Sequence, residues 1–407
     1  MSSNSIPDDQ SFLPADLKNS TDPYKLFEAA RRRGPVQATG DSWVILGHSE
    51  ATQLLRSSSS RSGFIAEGYL RRLPPGAARE EMGHRINFLD PPRHARVRHI
   101  MGKAFTPRRT TRLRPFVEEI SRSLLESVDA NRPLDLIQSY AHEVPSLVIS
   151  ELLGVPTRNR DRLTRLSDRV SRLLGTGNSD AELADALTAA EEMHVTLRSL
   201  LDDRRKNPED DLLSALLGKG DDGSGLTDSE LLSLAATLYS AGHRTTRDLF
   251  SNGLAALLPN RELVQAITEG SLPIPAVVEE FLRFETPTHL VARMLEEPVQ
   301  VGDFEIPAGK PITIFLAAAN RDPQMYSDPD RFNPWRWTET PPPVAPLSFA
   351  LGAHFCLGAS LARMEVEIML EVLLERFPDI RLGDEPLAWH HTGVFRGLAT
   401  LPVILGL

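Results

Sequence analysis

One cysteine serves the whole chain of 407 residues. It is Cys356, in "SFALGAHFCLGASLARMEVEI", with Gly352 and Gly358 on either side, Phe349 upstream and His354 two residues before it. A thiol where a tight loop enters a helix faces backbone N–H groups that carry partial positive charge, and that setting favours the thiolate. A thiolate there can serve as nucleophile, redox sensor or metal ligand; the plain alternative is a small buried hydrophobe. A second group, Gly242, His243, Arg244, Thr245 and Thr246, interrupts an apolar stretch with a cation and two hydroxyls. Scattered cationic side chains complete the inventory: His94 and Arg98 in "DPPRHARVRHIMGKAF", and Arg293 in "ETPTHLVARM". Taken singly, each reads as a solvated charge. Glu280 and Arg283 in "VVEEFLRFETP" form a pair worth only about 0.2–0.5 kcal/mol when exposed.

The elements that must carry these residues are mostly helical. After Cys356, apolar residues at Leu357, Leu361, Met364, Ile368 and Val372 make one helix stripe, with Glu365, Glu367 and Glu371 on other faces. "LTDSELLSLAATLYSAGHRTTRDLFSNGLAALLPN" opens on a capping box, Thr227 with Glu230, and closes at Pro259. At 1.5 Å per residue it predicts a helix of roughly 45 Å, long enough to cross a domain. Gly242 costs that helix about 1 kcal/mol relative to alanine, and a threonine beside it can bend the axis by bonding back to a carbonyl. His94 and Arg98 share one helix face at i, i+4. Two helices joined around "GTGNSD" are expected between 160 and 205. Strand-like runs are short: "SWVILG", a hairpin-like "PVQVGDFEIPAGKPITIF" and "LATLPVILG". "SRSGFIAEGYLRRLPPGAAREEMGHRINFLDPPRH" and "ANRDPQMYSDPDRFNPWRWTETPPP" read as long ordered coils. The expected fold class is mainly α with a minor β part, in one domain over 1–407.

Composition narrows the class. Net charge is −10, which argues against a general nucleic-acid binder, and basic runs such as "RRTTRLR" read as solvated faces. The N-terminal "MSSNSIPDDQSFLP" lacks a basic n-region and an apolar h-region, and no stretch approaches the roughly 18 residues of a membrane span. A single cysteine cannot form an intramolecular disulfide. The reading is a cytoplasmic, soluble monomer with no membrane or nucleic-acid partner.

Phe349, Gly352, Cys356 and Gly358 match F-x-x-G-x-x-x-C-x-G. This resembles the haem-ligand loop of the cytochromes P-450, soluble bacterial type, with Ala350 where relatives often carry a second glycine. The resemblance runs from "DPYKLFEAARRRGPV" to "RGLATLPVIL". It implies the cytochrome P-450 fold, with haem b between the long central helix and the cysteine-loop helix, and Cys356 as axial iron ligand. It implies further that His94, Arg98, Arg293 and His354 reach the propionates, and that Glu280, Arg283 and Arg331 form a structural triad beneath the haem. Thr245 takes the oxygen-side alcohol position, with Thr246 after it, and Arg244 stands where an acid is usual.

Three readings of Arg244 follow. It points away and pairs with an acid elsewhere; it binds a substrate carboxylate that replaces the missing acid; or the chemistry is atypical, such as ring coupling, C–N bond formation or peroxide-driven oxidation. By the same analogy Phe64, Ile65, Tyr69, Leu70, Leu238, Gly242, Leu290, Val291, Val394 and Phe395 form a mainly apolar substrate pocket. Arg71, Arg72 and His289 lie near in sequence. The implied activity is monooxygenation of a small organic molecule, a biosynthetic intermediate. Electrons would come from a separate ferredoxin and ferredoxin reductase, with Arg108 and Arg109 steering the docking. Two rivals are a haem sensor without turnover and a cysteine hydrolase using Cys356 and His354.

Overall fold

A computed structural model describes residues 17, 20, 22–129, 132–175, 178–218 and 225–406. The N-terminal stretch read above for a leader, and the middle of "GTGNSD", lie outside them. The central helix runs from Asp228 to Leu257, and its capping box closes as expected, each partner of Thr227 and Glu230 bonding the other's backbone. Leu231, Leu232, Ala235, Tyr239, Phe250, Leu254 and Leu257 bury its flanks on all sides. A helix that is apolar all round belongs inside a protein, and this one is the axis on which the rest packs.

Against the axis lie the helices Ala77–His84, Glu143–Leu153, Thr157–Val170, Ile274–Phe284 and Ala359–Arg376. The expected pair across "GTGNSD" is Thr157–Val170, with a 3-10 turn to Leu174, and Asp180–Lys206, whose Ser179 and Glu182 form a second capping box. The long stretch after Ser60 is not the coil expected: it folds into helices Gly63–Arg72 and Ala77–His84. Its prolines, at 74–75 and 91–92, only separate helical runs, so the breakers mark the joints of this stretch and not its interior.

The sheet is small. Val36–Thr39, Ser42–Ile45, Pro311–Phe315, Leu290–Leu295 and Ser60–Arg61 lie side by side in that order. Pro311–Phe315 is parallel to Ser42–Ile45 and antiparallel to Leu290–Leu295, pairing Arg293 with Ile312. The expected hairpin forms between Val299–Val301 and Phe304–Ile306, while the end of the same segment joins the main sheet. The apolar core divides accordingly, into a large cluster around the central helix and smaller ones on the sheet.

The cysteine-loop helix, Ala359–Arg376, departs from its sequence reading. Glu365 was placed on a polar face, yet it is 2% exposed beside the buried Val366, Met369 and Leu370. This helix is covered on nearly every side, so its stripe was only part of its buried surface.

Candidate active site

The cysteine loop is shaped by backbone constraint. Gly352 adopts φ +69°, and a Cβ there would stand 2.3 Å from the Leu55 carbonyl oxygen, so only glycine fits. Ala350 also takes a positive φ, +53° with ψ −163°, a region that residues with a side chain rarely enter. The loop then closes through Cys356 N–H donating to the Phe349 carbonyl at 3.0 Å. Cys356 is exposed and lines a cavity. Burial pushes its thiol up, while the Gly358 N–H and the charges of Arg98 and Arg363 favour the thiolate.

That cavity measures about 490 Å³, and the cysteine loop and the central helix face each other across it. Six cationic or imidazole groups line it: Arg85, Arg244 and a quartet made of His94, Arg98, Arg293 and His354. The His94 and His354 rings lie 4.2 Å apart, and Arg98 donates to the Phe355 carbonyl at 2.6 Å. Burial, then Arg293, His94 and Arg98, drive His354 down to about 3. Burial likewise lowers Arg293 to about 10, with Asp90 opposing. Asp90 is itself held by the N–H groups of Ser62 and Gly63, both at 2.8 Å. The quartet is thus short of negative charge. A thiol on the cavity wall, with two arginines and two imidazole donors at the edge, fits an iron porphyrin with two propionates.

On the opposite wall, Gly242 lets the central helix approach Ile149, whose side-chain atoms would lie 2.8 Å from a Cβ placed there. Thr245 Oγ1 donates to the Ala241 carbonyl at 2.7 Å, and Thr246 Oγ1 to Gly242 at 3.2 Å. Arg244 lines the cavity. Its guanidinium donates to Ser171 Oγ and lies 5.7 Å from the centre of the Phe395 ring. Its Nε is buried with no acceptor; Asp248 Oδ2 stands 3.9 Å away and is itself buried without a hydrogen-bond partner, while Oδ1 of the same carboxylate accepts from Arg247 Nε at 2.9 Å.

Of the expected pocket residues, Ile65, Tyr69, Leu238, Gly242, Leu290, Val291, Val394 and Phe395 line the cavity. Phe64 does not; one residue along the helix from Ile65, it points elsewhere. Leu70 faces a different, outer cavity. Arg71 and Arg72 are exposed, the first beside Glu67 at 3.6 Å and the second over the Tyr69 ring. His289 is fully buried and takes up His391 at 3.0 Å.

The triad also needs correction. Arg283 grips Glu280 with two bonds, 2.7 and 2.8 Å, and both are fully buried. The second guanidinium on Glu280 is that of Arg336, at 3.3 Å and 4% exposed, joined by the Trp337 indole at 2.9 Å. Arg331 is exposed and contributes only its carbonyl, which accepts from Arg283 at 3.1 Å. Sequence reasoning also missed Arg85, which lines the cavity from the segment read as coil. It donates to Glu81 at 2.6 Å and to Ser240 Oγ at 3.2 Å. Glu365 was missed as well: it reaches the same cavity with Oε2 unpartnered.

Among the described residues no helix is long and apolar enough to cross a membrane. The family model described as Cytochrome P450 matches residues 181–386. The chain is 36% identical to Cytochrome P450 107B1 of Saccharopolyspora erythraea, over 99% of each chain. It is also 36% identical to the Cytochrome P450 monooxygenase PikC of Streptomyces venezuelae, covering 94% of this chain and 91% of that one. Among solved structures, CalO2 superposes with a TM-score of 0.88 at 28% identity, covering 97% of this chain and 98% of that one. With the fold, the cavity and these likenesses in agreement, the chain belongs to the cytochrome P450 family, the haem b monooxygenases.

Proposed function

We propose that Cys356 holds the haem iron through its sulfur, that His94, Arg98, Arg293 and His354 take the propionates, and that the enzyme oxidises a mainly apolar small molecule carrying a carboxylate. When bound, the haem supplies dioxygen activation, with the thiolate pushing electron density toward the iron. Phe349 and Gly358 shape the loop under it, and Glu280, Arg283 and Arg336 lock the irregular segment beneath.

The substrate's apolar body rests on Leu238, Leu290, Val291, Val394 and Phe395, and its carboxylate meets Arg244. The observation that carries this reading is the guanidinium of Arg244 on the cavity wall, whose one hydrogen bond among the described residues goes from Nη1 to Ser171 Oγ. A buried guanidinium short of acceptors is costly, and a bound carboxylate satisfies it. The same carboxylate restores an acid near position 244, where it can accept and return a proton. Thr245 Oγ1 spends its own proton on Ala241, so its oxygen is free to accept from a donor in the cavity. Electrons come from a separate ferredoxin and its reductase. Arg109 is already engaged by Asp210 at 3.2 Å, which leaves Arg108 as the better candidate of the two for steering.

Titration of haem-loaded protein with apolar carboxylic acids and their methyl esters, followed by the substrate-induced spin-state shift, tests this. Acids are expected to bind at least about tenfold more tightly than their esters, the scale of one charge-assisted hydrogen bond. Arg244→Leu erases that preference while keeping haem content. Equal binding of acids and esters by the unaltered protein overturns the reading.

A further inference from the structure

On the side of the central helix turned away from the cavity, three helices bring together His142, Asp168 and His243. His142 precedes helix Glu143–Leu153, Asp168 lies on Thr157–Val170, and His243 lies on the central helix next to Arg244. His243 Nε2 stands 3.1 Å from Asp168 Oδ1, and His142 Nε2 stands 4.0 Å from Asp168 Oδ2. One donor atom from each of the three lies within 4.8 Å of the other two.

The protonation of His243 is constrained by its other nitrogen. Nδ1 lies 2.9 Å from the Tyr239 carbonyl, which can only accept, so Nδ1 carries a proton. In the neutral ring Nε2 then presents a lone pair to a carboxylate oxygen, and two lone pairs at that separation repel. Something positive must stand between them: a second proton or a metal cation. A proton would satisfy His243 and Asp168 and leave His142 only its edge-on packing against the His243 ring. A cation uses all three.

We propose that His142 Nε2, His243 Nε2 and Asp168 form a binding site for a divalent transition-metal cation of the zinc class. Donors about 2.0–2.1 Å from a tetrahedral ion lie about 3.4 Å from one another, so the three donors, now spread over up to 4.8 Å, would draw in by as much as about 1.4 Å around the ion. The bond from His243 Nδ1 to a backbone carbonyl is the support that metal-bound histidines usually have, fixing tautomer and ring orientation. Asp168 is 37% exposed and His142 17%, which gives the ion a path from solvent and a place for bound water. Arg247 and Arg244 are the cations nearby; Asp248 Oδ1 lies 2.7 and 2.9 Å from the Arg247 guanidinium nitrogens, and its Oδ2 lies 3.9 Å from Arg244 Nε. The site would tie the helix before Ser171 to the central helix. The carbonyl of Asp168 accepts from Ser171 Oγ at 2.7 Å, and Ser171 in turn holds Arg244.

The test uses haem-loaded protein stripped with a chelator, then titrated with Zn²⁺ against a chromophoric competitor, with bound metal counted by elemental analysis. One Zn²⁺ per chain is expected. His142→Ala and the near-isosteric Asp168→Asn should each weaken it at least about tenfold, the loss that removal of even a supporting partner produces. Unchanged Soret absorbance per chain in both variants shows that they fold. Absence of stoichiometric Zn²⁺ from the unaltered protein overturns the proposal and leaves an imidazolium–carboxylate pair. Binding that persists undiminished in both variants overturns it too.

Discussion

Arg336 and Arg331 lie five residues apart on one irregular segment, and only Arg336 puts its guanidinium on Glu280. Glu280 and Arg283 are fully buried, so removing a partner leaves charge that water cannot reach, at a cost of about 3–5 kcal/mol. Arg336→Ala should therefore lose most of its haem content and several degrees of melting temperature. Arg331→Ala, truncating an exposed side chain, should stay within about 0.5 kcal/mol of the unaltered protein. Equal losses in both would return the role to Arg331. The choice was not legible from order and spacing alone, because both arginines follow Glu280 in a Pro- and Trp-rich stretch. The usable signal was Trp337, whose large apolar body draws its neighbour inward. Ala350 offers a second test at this scale. Its positive φ costs about 1–3 kcal/mol, which glycine avoids while adding entropy to the unfolded chain. Ala350→Gly is expected to raise stability by about 1 kcal/mol in denaturant melts, and a lower midpoint would show that the loop tolerates alanine without strain.

The elements were more legible than their burial. Capping residues, glycines at joints and the three- and four-residue apolar rhythm place the central helix and the cysteine-loop helix correctly, since these are local properties of the chain. What surrounds a helix is not local. Glu365 shows the consequence: its neighbours in sequence make a plausible polar face, yet Arg114–Glu126, Ile274–Phe284 and the central helix all pack against Ala359–Arg376 and Glu365 ends up buried. Burial without a cationic partner pushes its carboxyl well above the ordinary range. The folded state therefore holds this proton where the unfolded chain releases it, so stability falls as pH rises above about 4.5. The penalty grows by up to about 1.4 kcal/mol per pH unit until the folded group ionises. Glu365→Gln keeps the shape without the ionisation. Urea midpoints at pH 5 and pH 8 should show a smaller decline for the variant than for the unaltered protein; parallel declines would mean Glu365 is ionised at both.

At the scale of the molecule, the cavity depends on two helices holding their distance: Arg93–Ala104, which carries His94 and Arg98, and the central helix, which carries Arg244 and Thr245. Glu230 joins them. It sits at the third position of the central helix, where its Oε2 accepts from the Thr227 N–H at 3.0 Å. Its Oε1 accepts from Arg93 at 3.3 Å and from Arg96, and Arg96 also reaches the Gly225 carbonyl at 2.9 Å. The capping box is legible in the local spacing of Thr227 and Glu230, but the arginines are not, since they lie more than 130 residues upstream. Burial opposes ionisation of Glu230, yet the bonds from Arg96, Thr227 and Arg93 outweigh it and hold the carboxyl down at about 2. A depressed folded pKa makes the contribution complete above about 4.5, the unfolded value, and removes it as pH falls toward 2. Glu230→Gln should be destabilised at pH 7 by about 1–3 kcal/mol and should lose less than the unaltered protein between pH 5 and pH 3. The geometric consequence is separable from stability. If Glu230 sets the spacing of the two helices, the variant at neutral pH and well below its melting temperature should release haem faster to a competing apoprotein. An unchanged release rate beside a lowered melting point would confine Glu230 to capping its own helix.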